Sequence, residues 1–110
     1  TLENAVYMGM KNDMAFLLDT GIYLYEHQST INPNMPLRDL FYISSEYNGF
    51  VDMKSLYTST VQKLPAPNFV VFYNGEEAMA DRCEYRLSDA FEPKVDNPAL
   101  ELIVMVLNVN

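Results

Sequence analysis

Three polar residues in the first quarter of the chain have the types and spacing of a divalent-metal site. Asp13, Glu26 and Gln28 form the pattern Asp-x12-Glu-x-Gln. Mg²⁺ prefers oxygen ligands and commonly takes one or two carboxylates together with waters and a substrate phosphate. Such an ion can activate water and stabilise the charge that develops on a phosphodiester. Gln28 cannot act as an acid or a base, but its amide can orient water or a phosphate oxygen through hydrogen bonds.

The segment that carries Glu26 and Gln28 is predicted to be a β-strand over residues 22–28, because it is rich in β-branched and aromatic residues. Side chains alternate between the two faces of a strand. One face therefore carries Ile22, Leu24, Glu26 and Gln28, and the other carries Tyr23, Tyr25 and His27. The polar pair stands at the end of an otherwise apolar face, a usual place for sites in α/β sheets.

Asp13 joins this pair only if its own strand, residues 13–18, pairs with the first in the right register. Residues 19–21 carry a turn signal. An even-numbered loop makes the numbers of paired residues add to 41 and places Asp13 diagonally beside Glu26 on one face. A three-residue loop makes the sum 40 and moves Asp13 to the face of His27, which would separate the carboxylates. The alternative interpretation is structural, with Asp13 beginning a strand and Glu26 exposed at a strand end.

Two further residues could take part in the chemistry. Arg38 is predicted in the first turn of a helix, near the end of strand 22–28, where a helix N-terminus helps to bind a phosphate. It could equally be solvated, or paired with Asp39 or another carboxylate. His27 is the only histidine of the chain, and it could serve as a base or pack as a structural residue.

The remaining pattern predicts an α/β fold with a mixed sheet. An antiparallel meander comes first, and a βαβ crossover follows, which should be right-handed with parallel strands. The helix should begin after Asn34 as its cap and end at Asn48-Gly49. The predicted elements are strands 6–10, 13–18 and 22–28, a helix over 35–48, a buried strand over 68–73, an acidic surface excursion over 76–98 with a short anchored piece at 87–91, and a buried strand over 101–107.

Composition sets limits on these interpretations. A chain of 110 residues fits a single domain, and its net charge of −8 argues against DNA binding by this segment alone. The acidity suits a divalent cation or a basic protein partner. Cys83 is the single cysteine and cannot form an internal disulfide, which favours a reducing cytoplasm. No apolar run is long enough for a membrane span, so we expect no membrane partner. The chain begins with Thr1, and we expect a partial domain, truncated at both ends.

Four blocks of the sequence carry a family resemblance. They are MKNDMAFLL, YLYEHQSTINPNMPLRDLFY, PNFVVFYNG, and LSDAFE with PALELIVMVLNVN. These blocks closely resemble the recombination-promoting nuclease family, whose members are also called PD-(D/E)xK nuclease family transposases. The resemblance covers nearly the whole chain, and the YEHQSTINPNMPLR block is its most specific part.

The resemblance implies a restriction-endonuclease-like PD-(D/E)xK core and a DNA endonuclease that depends on Mg²⁺, Mn²⁺ or Ca²⁺ and is associated with recombination or mobile elements. The family's second-strand acidic residue corresponds to Asp13, and its Glu-x-Gln element to Glu26 and Gln28. Many members of the wider superfamily have Lys in the place of Gln28, so the group that handles the proton stays open. The family's N-terminal helix, which often carries a further acidic residue, is expected to be absent unless Glu3 substitutes.

Three functions follow as hypotheses. The leading one is metal-dependent hydrolysis of DNA, with Asp13 and Glu26 as metal ligands, Gln28 as a positioning group and Arg38 on a phosphate. The second is a catalytically inactive interaction domain on a nuclease fold, which the acidic and aromatic composition favours. The third, transposition, rests only on the name of the family.

Overall fold

The fold is that of a computed structural model, which describes the backbone of residues 15–18 and the whole of residues 21–110. Its strands form one mixed five-stranded sheet in the order β1-β2-β3-β5-β4. The described strands are β1 (Ala15–Leu18), β2 (Gly21–Gln28), β3 (Ala66–Tyr73), β4 (Arg82–Arg86) and β5 (Ile103–Asn108). The same residues contain the α-helix α1 (Met35–Asn48) and 3-10 helices at Met53–Tyr57 and Leu87–Ala90. The predicted α/β class and mixed sheet are confirmed. The predicted strand 6–10 lies outside the described residues.

The hairpin of β1 and β2 has a different register from the predicted one. Paired residues add to 39, with Ala15 opposite Leu24 and Leu18 opposite Gly21. Neither the sum of 41 nor the alternative of 40 is observed, because Gly21 belongs to β2 and not to the turn. A side chain at Gly21 would lie 3.0 Å from the carbonyl oxygen of Ala66 on β3, so a glycine lets these strands approach closely. The observed sum of 39 is odd, like the sum of 41. In the described part of the hairpin, an odd-numbered residue of β1 therefore lies on the same sheet face as the even-numbered residues of β2, as the pairing of Asp13 with Glu26 requires.

The crossover from β2 through α1 to β3 has the predicted parallel arrangement. All eight residues of β2 pair with β3, from Gly21 opposite Ala66 to Gln28 opposite Tyr73. The prediction of a buried strand at 68–73 is confirmed, and β3 begins two residues earlier. Pro67 is tolerated in this central strand because pairing with β5 starts only at Phe69.

Helix α1 has the predicted bounds but not the predicted cap. The Asn34 side chain makes no capping hydrogen bond, because its backbone (φ −94°, ψ 14°) is not extended as a capping residue requires. The Asn32 side chain instead accepts a hydrogen bond from the Asn34 amide at 2.8 Å. At the other end Gly49 donates to the carbonyl of Glu46 and closes the last turn.

The second half of the sheet contains a strand that we did not predict. Residues 76–98 were expected to form a surface excursion, but β4 lies within them and pairs antiparallel with β5 at the sheet edge. Its burial alternates, with Cys83 and Tyr85 half-buried between exposed charged residues. Strand β5 runs parallel to β3. The 3-10 helix that follows β4 is anchored in the core by Leu87, as predicted.

The core lies between α1 and one face of the sheet. It buries Met35 and Ile43 of the helix against Phe69, Val71 and, on β5, Val104 and Val106. The opposite face carries a smaller apolar cluster in which Tyr25 stacks on Phe72, with ring centroids 6.1 Å apart. The face alternation predicted for β2 is therefore confirmed. No helix among the described residues has the length and apolar character needed to cross a membrane.

Candidate functional site

Glu26 lies near the carboxyl end of β2, on the sheet face that α1 covers. Its side chain is 20% exposed, and its Oε1 accepts a hydrogen bond from Nη2 of Arg38 at 3.4 Å. Arg38 lies in the first turn of α1 and is 53% exposed. The strand end and the helix start meet here because the β2–α1 connection is short. The alternative in which Arg38 pairs with a carboxylate is thus the observed one, and that carboxylate is Glu26.

Asp39 is a second carboxylate at this place. The pKa of Asp39 is raised to about 6, chiefly because the side chain is buried and also because of the negative charge of Glu26, while Arg38 acts in the opposite direction. A like charge raises the pKa of a carboxyl group when it lies within about 4–6 Å. Glu26 and Asp39 are therefore electrostatic neighbours that approach from a strand and a helix.

These residues share a cavity of about 150 Å³. Its polar wall consists of Glu26, Arg38, Asp39 and the edge of Tyr42, and its apolar wall includes Leu24 and Val71. This volume is large enough to hold several water molecules, since one water needs only about 10–15 Å³ on this measure.

The donor set suits a hard, water-rich cation. Two carboxylates are enough for Mg²⁺, which keeps several of its waters in most protein sites. Among the residues that the structure describes, no three His, Cys, Asp or Glu side chains form a group that could hold a metal ion by themselves. The site would thus hold its ion through Glu26 and Asp39 together with water, or with a further ligand from outside the described residues.

Gln28 has a structural contact that the sequence did not predict. Its side chain is 9% exposed, and its Oε1 accepts a hydrogen bond from the Asn32 amide at 3.2 Å. Its backbone carbonyl accepts from the Asn74 amide at 3.1 Å. Gln28 therefore fastens the loops that follow β2 and β3. It does not line the cavity that holds Glu26.

The sequence-predicted residues thus divide into three groups. Glu26 and Arg38 are in contact, Gln28 lies two residues further along β2, and Asp13 lies outside the described residues. Asp39 was considered only as a counter-ion for Arg38. One signal could have identified it, because the first turn of the helix in a βαβ unit lies beside the carboxyl end of the preceding strand.

Comparisons of this chain with models of known protein families, with curated proteins and with solved structures found no match.

Proposed function

We propose that the protein is a divalent-metal-dependent DNA endonuclease with a PD-(D/E)xK-type core. The observation that carries the proposal is the cavity lined by Glu26, Asp39 and Arg38, in which the guanidinium of Arg38 contacts the carboxylate of Glu26. It lies toward the carboxyl end of the parallel strands, where α/β proteins bind their ligands. The choice of DNA as substrate, and a cytoplasmic location, come from the sequence resemblance and the single cysteine.

The charged residues of the cavity and two residues of the sequence pattern would each have a task in phosphodiester hydrolysis. Glu26 and Asp39 would hold Mg²⁺ or Mn²⁺, with Asp13 as the further ligand that the sequence predicts. A bound ion of this kind supplies water activation and stabilisation of the charge that develops on the phosphate. Arg38 can bind a phosphate oxygen, because a guanidinium presents its donors in a geometry that matches phosphate. Gln28 keeps the strand end in place and is thus a positioning residue.

The net charge of −8 argues against DNA binding by the surface alone, but it is compatible with a cluster of carboxylates that binds a cation. The carboxylates need to be clustered only at the cavity, where they attract the cation that the reaction uses. The phosphate then meets that cation and Arg38 rather than the acidic surface. Affinity for DNA should accordingly depend on the divalent ion.

The test is cleavage of plasmid DNA in Mg²⁺ by three proteins: the parent chain, Glu26→Gln and Glu84→Gln. Glu84 is the matched control, since it also pairs with an arginine, Arg86, at 3.5 Å. We expect Glu26→Gln to reduce the cleavage rate by about 100-fold or more, because metal ions contribute several kcal/mol of charge stabilisation. Glu84→Gln should cleave within about twofold of the parent. Equal rates for the parent and Glu26→Gln, with both folded by circular dichroism, would exclude the assignment.

A second function has its own observation in its favour. The segment after α1 exposes many large apolar side chains, as surfaces that bind other proteins do. They are Phe50, Met53, Leu56, Tyr57, Val61 and Leu64. If the parent chain neither cleaves DNA nor binds Mn²⁺, a non-catalytic interaction domain is the better explanation of the fold.

A further inference from the structure

We propose that Arg38 is an exchangeable counter-ion: it neutralises Glu26 while the site lacks a divalent cation, and it is released to bind the substrate phosphate when that cation occupies the carboxylate. The inference rests on the proposed function and concerns the same cavity. It adds a coupling between the metal and phosphate sites that neither residue provides alone.

The first argument is the weakness of the contact. A single guanidinium nitrogen, Nη2, reaches one oxygen of Glu26 at 3.4 Å. Strong arginine–carboxylate pairs are bidentate and shorter, at about 2.7–2.9 Å. Because the Arg38 side chain is 53% exposed, water and salt screen the pair, and exposed pairs of this kind contribute little to stability. A competing cation can therefore displace the guanidinium at small cost.

The second argument is the charge of the cavity. Two carboxylates and one guanidinium line it, so the three groups carry one net negative charge when all are ionised. Of the basic residues in the described part of the chain, Arg38 is the one that lines this cavity. With a divalent cation between the carboxylates the sum becomes one net positive charge. The cation cancels the charge of the two carboxylates, so the attraction that held the guanidinium to Glu26 is lost, and the guanidinium together with the cation can attract an anion such as a phosphodiester.

The third argument is position. Arg38 lies in the first turn of α1, and its own amide donates to the carbonyl of Asn34 at 3.0 Å, which fixes the backbone of the turn. The side chain, by contrast, is held by the one contact with Glu26 that the structure shows. Because the backbone is fixed and the side chain is long, rotation about the side-chain bonds can turn the guanidinium from the carboxylate toward a phosphate without any movement of the helix.

The experiment is a calorimetric titration of the full chain with MnCl₂ in the absence of DNA. The variants are Arg38→Gln, Arg86→Gln as the matched control, and Glu26→Gln. Loss of the competing guanidinium should raise the Mn²⁺ affinity of Arg38→Gln by about two- to fivefold, the range that exposed ion pairs represent. Arg86→Gln should bind Mn²⁺ as the parent does. An unchanged or weaker affinity of Arg38→Gln overturns the inference.

A second readout separates exchange from a general change in charge. The chain has three arginines, Arg38, Arg82 and Arg86, so their ¹⁵N side-chain signals can be assigned by single substitutions. Addition of diamagnetic Mg²⁺ should shift the signals of Arg38 and leave those of Arg86 in place. Arg38 signals that do not move at saturating Mg²⁺ contradict the exchange.

Glu26→Gln distinguishes this inference from the function on which it rests. If Glu26→Gln binds Mn²⁺ as tightly as the parent, the proposed metal site itself is wrong. If Glu26→Gln loses Mn²⁺ while Arg38→Gln is unchanged, the metal site stands and only the role of Arg38 is wrong.

Discussion

Two arginine–glutamate pairs in this protein have nearly the same length and very different surroundings. Arg38 lies 3.4 Å from Glu26, and Arg86 lies 3.5 Å from Glu84. The second pair joins two residues of one edge strand, and both of its side chains are more than 40% exposed. The first pair joins a helix to a strand, and its glutamate is largely covered.

The two pairs therefore differ in their environment and hardly at all in their length. Charged residues on an edge strand such as β4 keep the edge from pairing with other chains, and this purpose needs no cavity. At the Arg38–Glu26 pair a second carboxylate, Asp39, crowds into the same cavity and has a raised pKa. Folding holds like charges together there, and such local conflict is common at functional sites.

The largest effect on stability should come from Asp39. Because its pKa is raised to about 6, the folded state favours the protonated acid, and this contribution to stability is lost as the pH rises through about 6. Asp39→Asn should therefore raise the free energy of unfolding at pH 7.5 by about 2 kcal/mol. The gain should shrink toward zero as the pH falls to about 4. Urea unfolding at several pH values measures both quantities.

Asp89→Asn is the control for that experiment. Asp89 is an exposed carboxylate that lies 3.8 Å from Lys94. Its substitution should change the free energy of unfolding by less than about 0.5 kcal/mol at every pH. If Asp39→Asn raises the free energy of unfolding equally at every pH, or lowers it at pH 7.5, then Asp39 in the cavity does not differ from Asp89 on the surface in the way that we expect.

A smaller effect should follow from Gln28→Met. The variant keeps the volume of the side chain but leaves the partly buried Asn32 amide without its acceptor. We expect a loss of about 1 kcal/mol in the free energy of unfolding. Gln62 makes an exposed contact with the carbonyl of Thr60, and Gln62→Met should have almost no effect. Stability equal to the parent, combined with lost DNA cleavage, would return Gln28 to a direct role in the chemistry.

The smallest effects should be the coupling energies of the two ion pairs. Double-mutant cycles should give less than about 1 kcal/mol for Arg38–Glu26 and close to zero for Arg86–Glu84. Both values should fall in 1 M salt, where screening acts over about 3 Å. A coupling above about 2 kcal/mol for Arg38–Glu26 would mean that the pair is too strong to be exchanged.

Local patterns predicted the first half of the described fold well. The alternation along β2, the apolar run of β3 and the helical spacing of α1 all reflect burial against one core, so their types and the parallel pairing follow from the sequence. The hairpin register was not predicted, because Gly21 is needed in β2 for its close contact with Ala66. Ala66 lies 45 positions away, so the local sequence around Gly21 does not reveal that contact.

The second half shows where local reasoning failed. Strand β4 has the alternation of an edge strand, with Cys83 and Tyr85 inward, but it is short and carries three charges, so it resembles a surface loop. In the candidate site, alternation placed Glu26 correctly. The hydrogen bond of Gln28 and the approach of Asp39 depend on how the loop and α1 pack, and neither distance could be predicted from sequence spacing.

The most direct test of the central claim is Mn²⁺ binding by the parent chain, Glu26→Gln and Glu84→Gln, followed by calorimetry. If the cavity at the end of β2 holds the cation, the parent binds one ion there, Glu26→Gln loses at least about tenfold in affinity, and Glu84→Gln binds as the parent does. Equal binding by the parent and Glu26→Gln would contradict the claim that this cavity is the metal site.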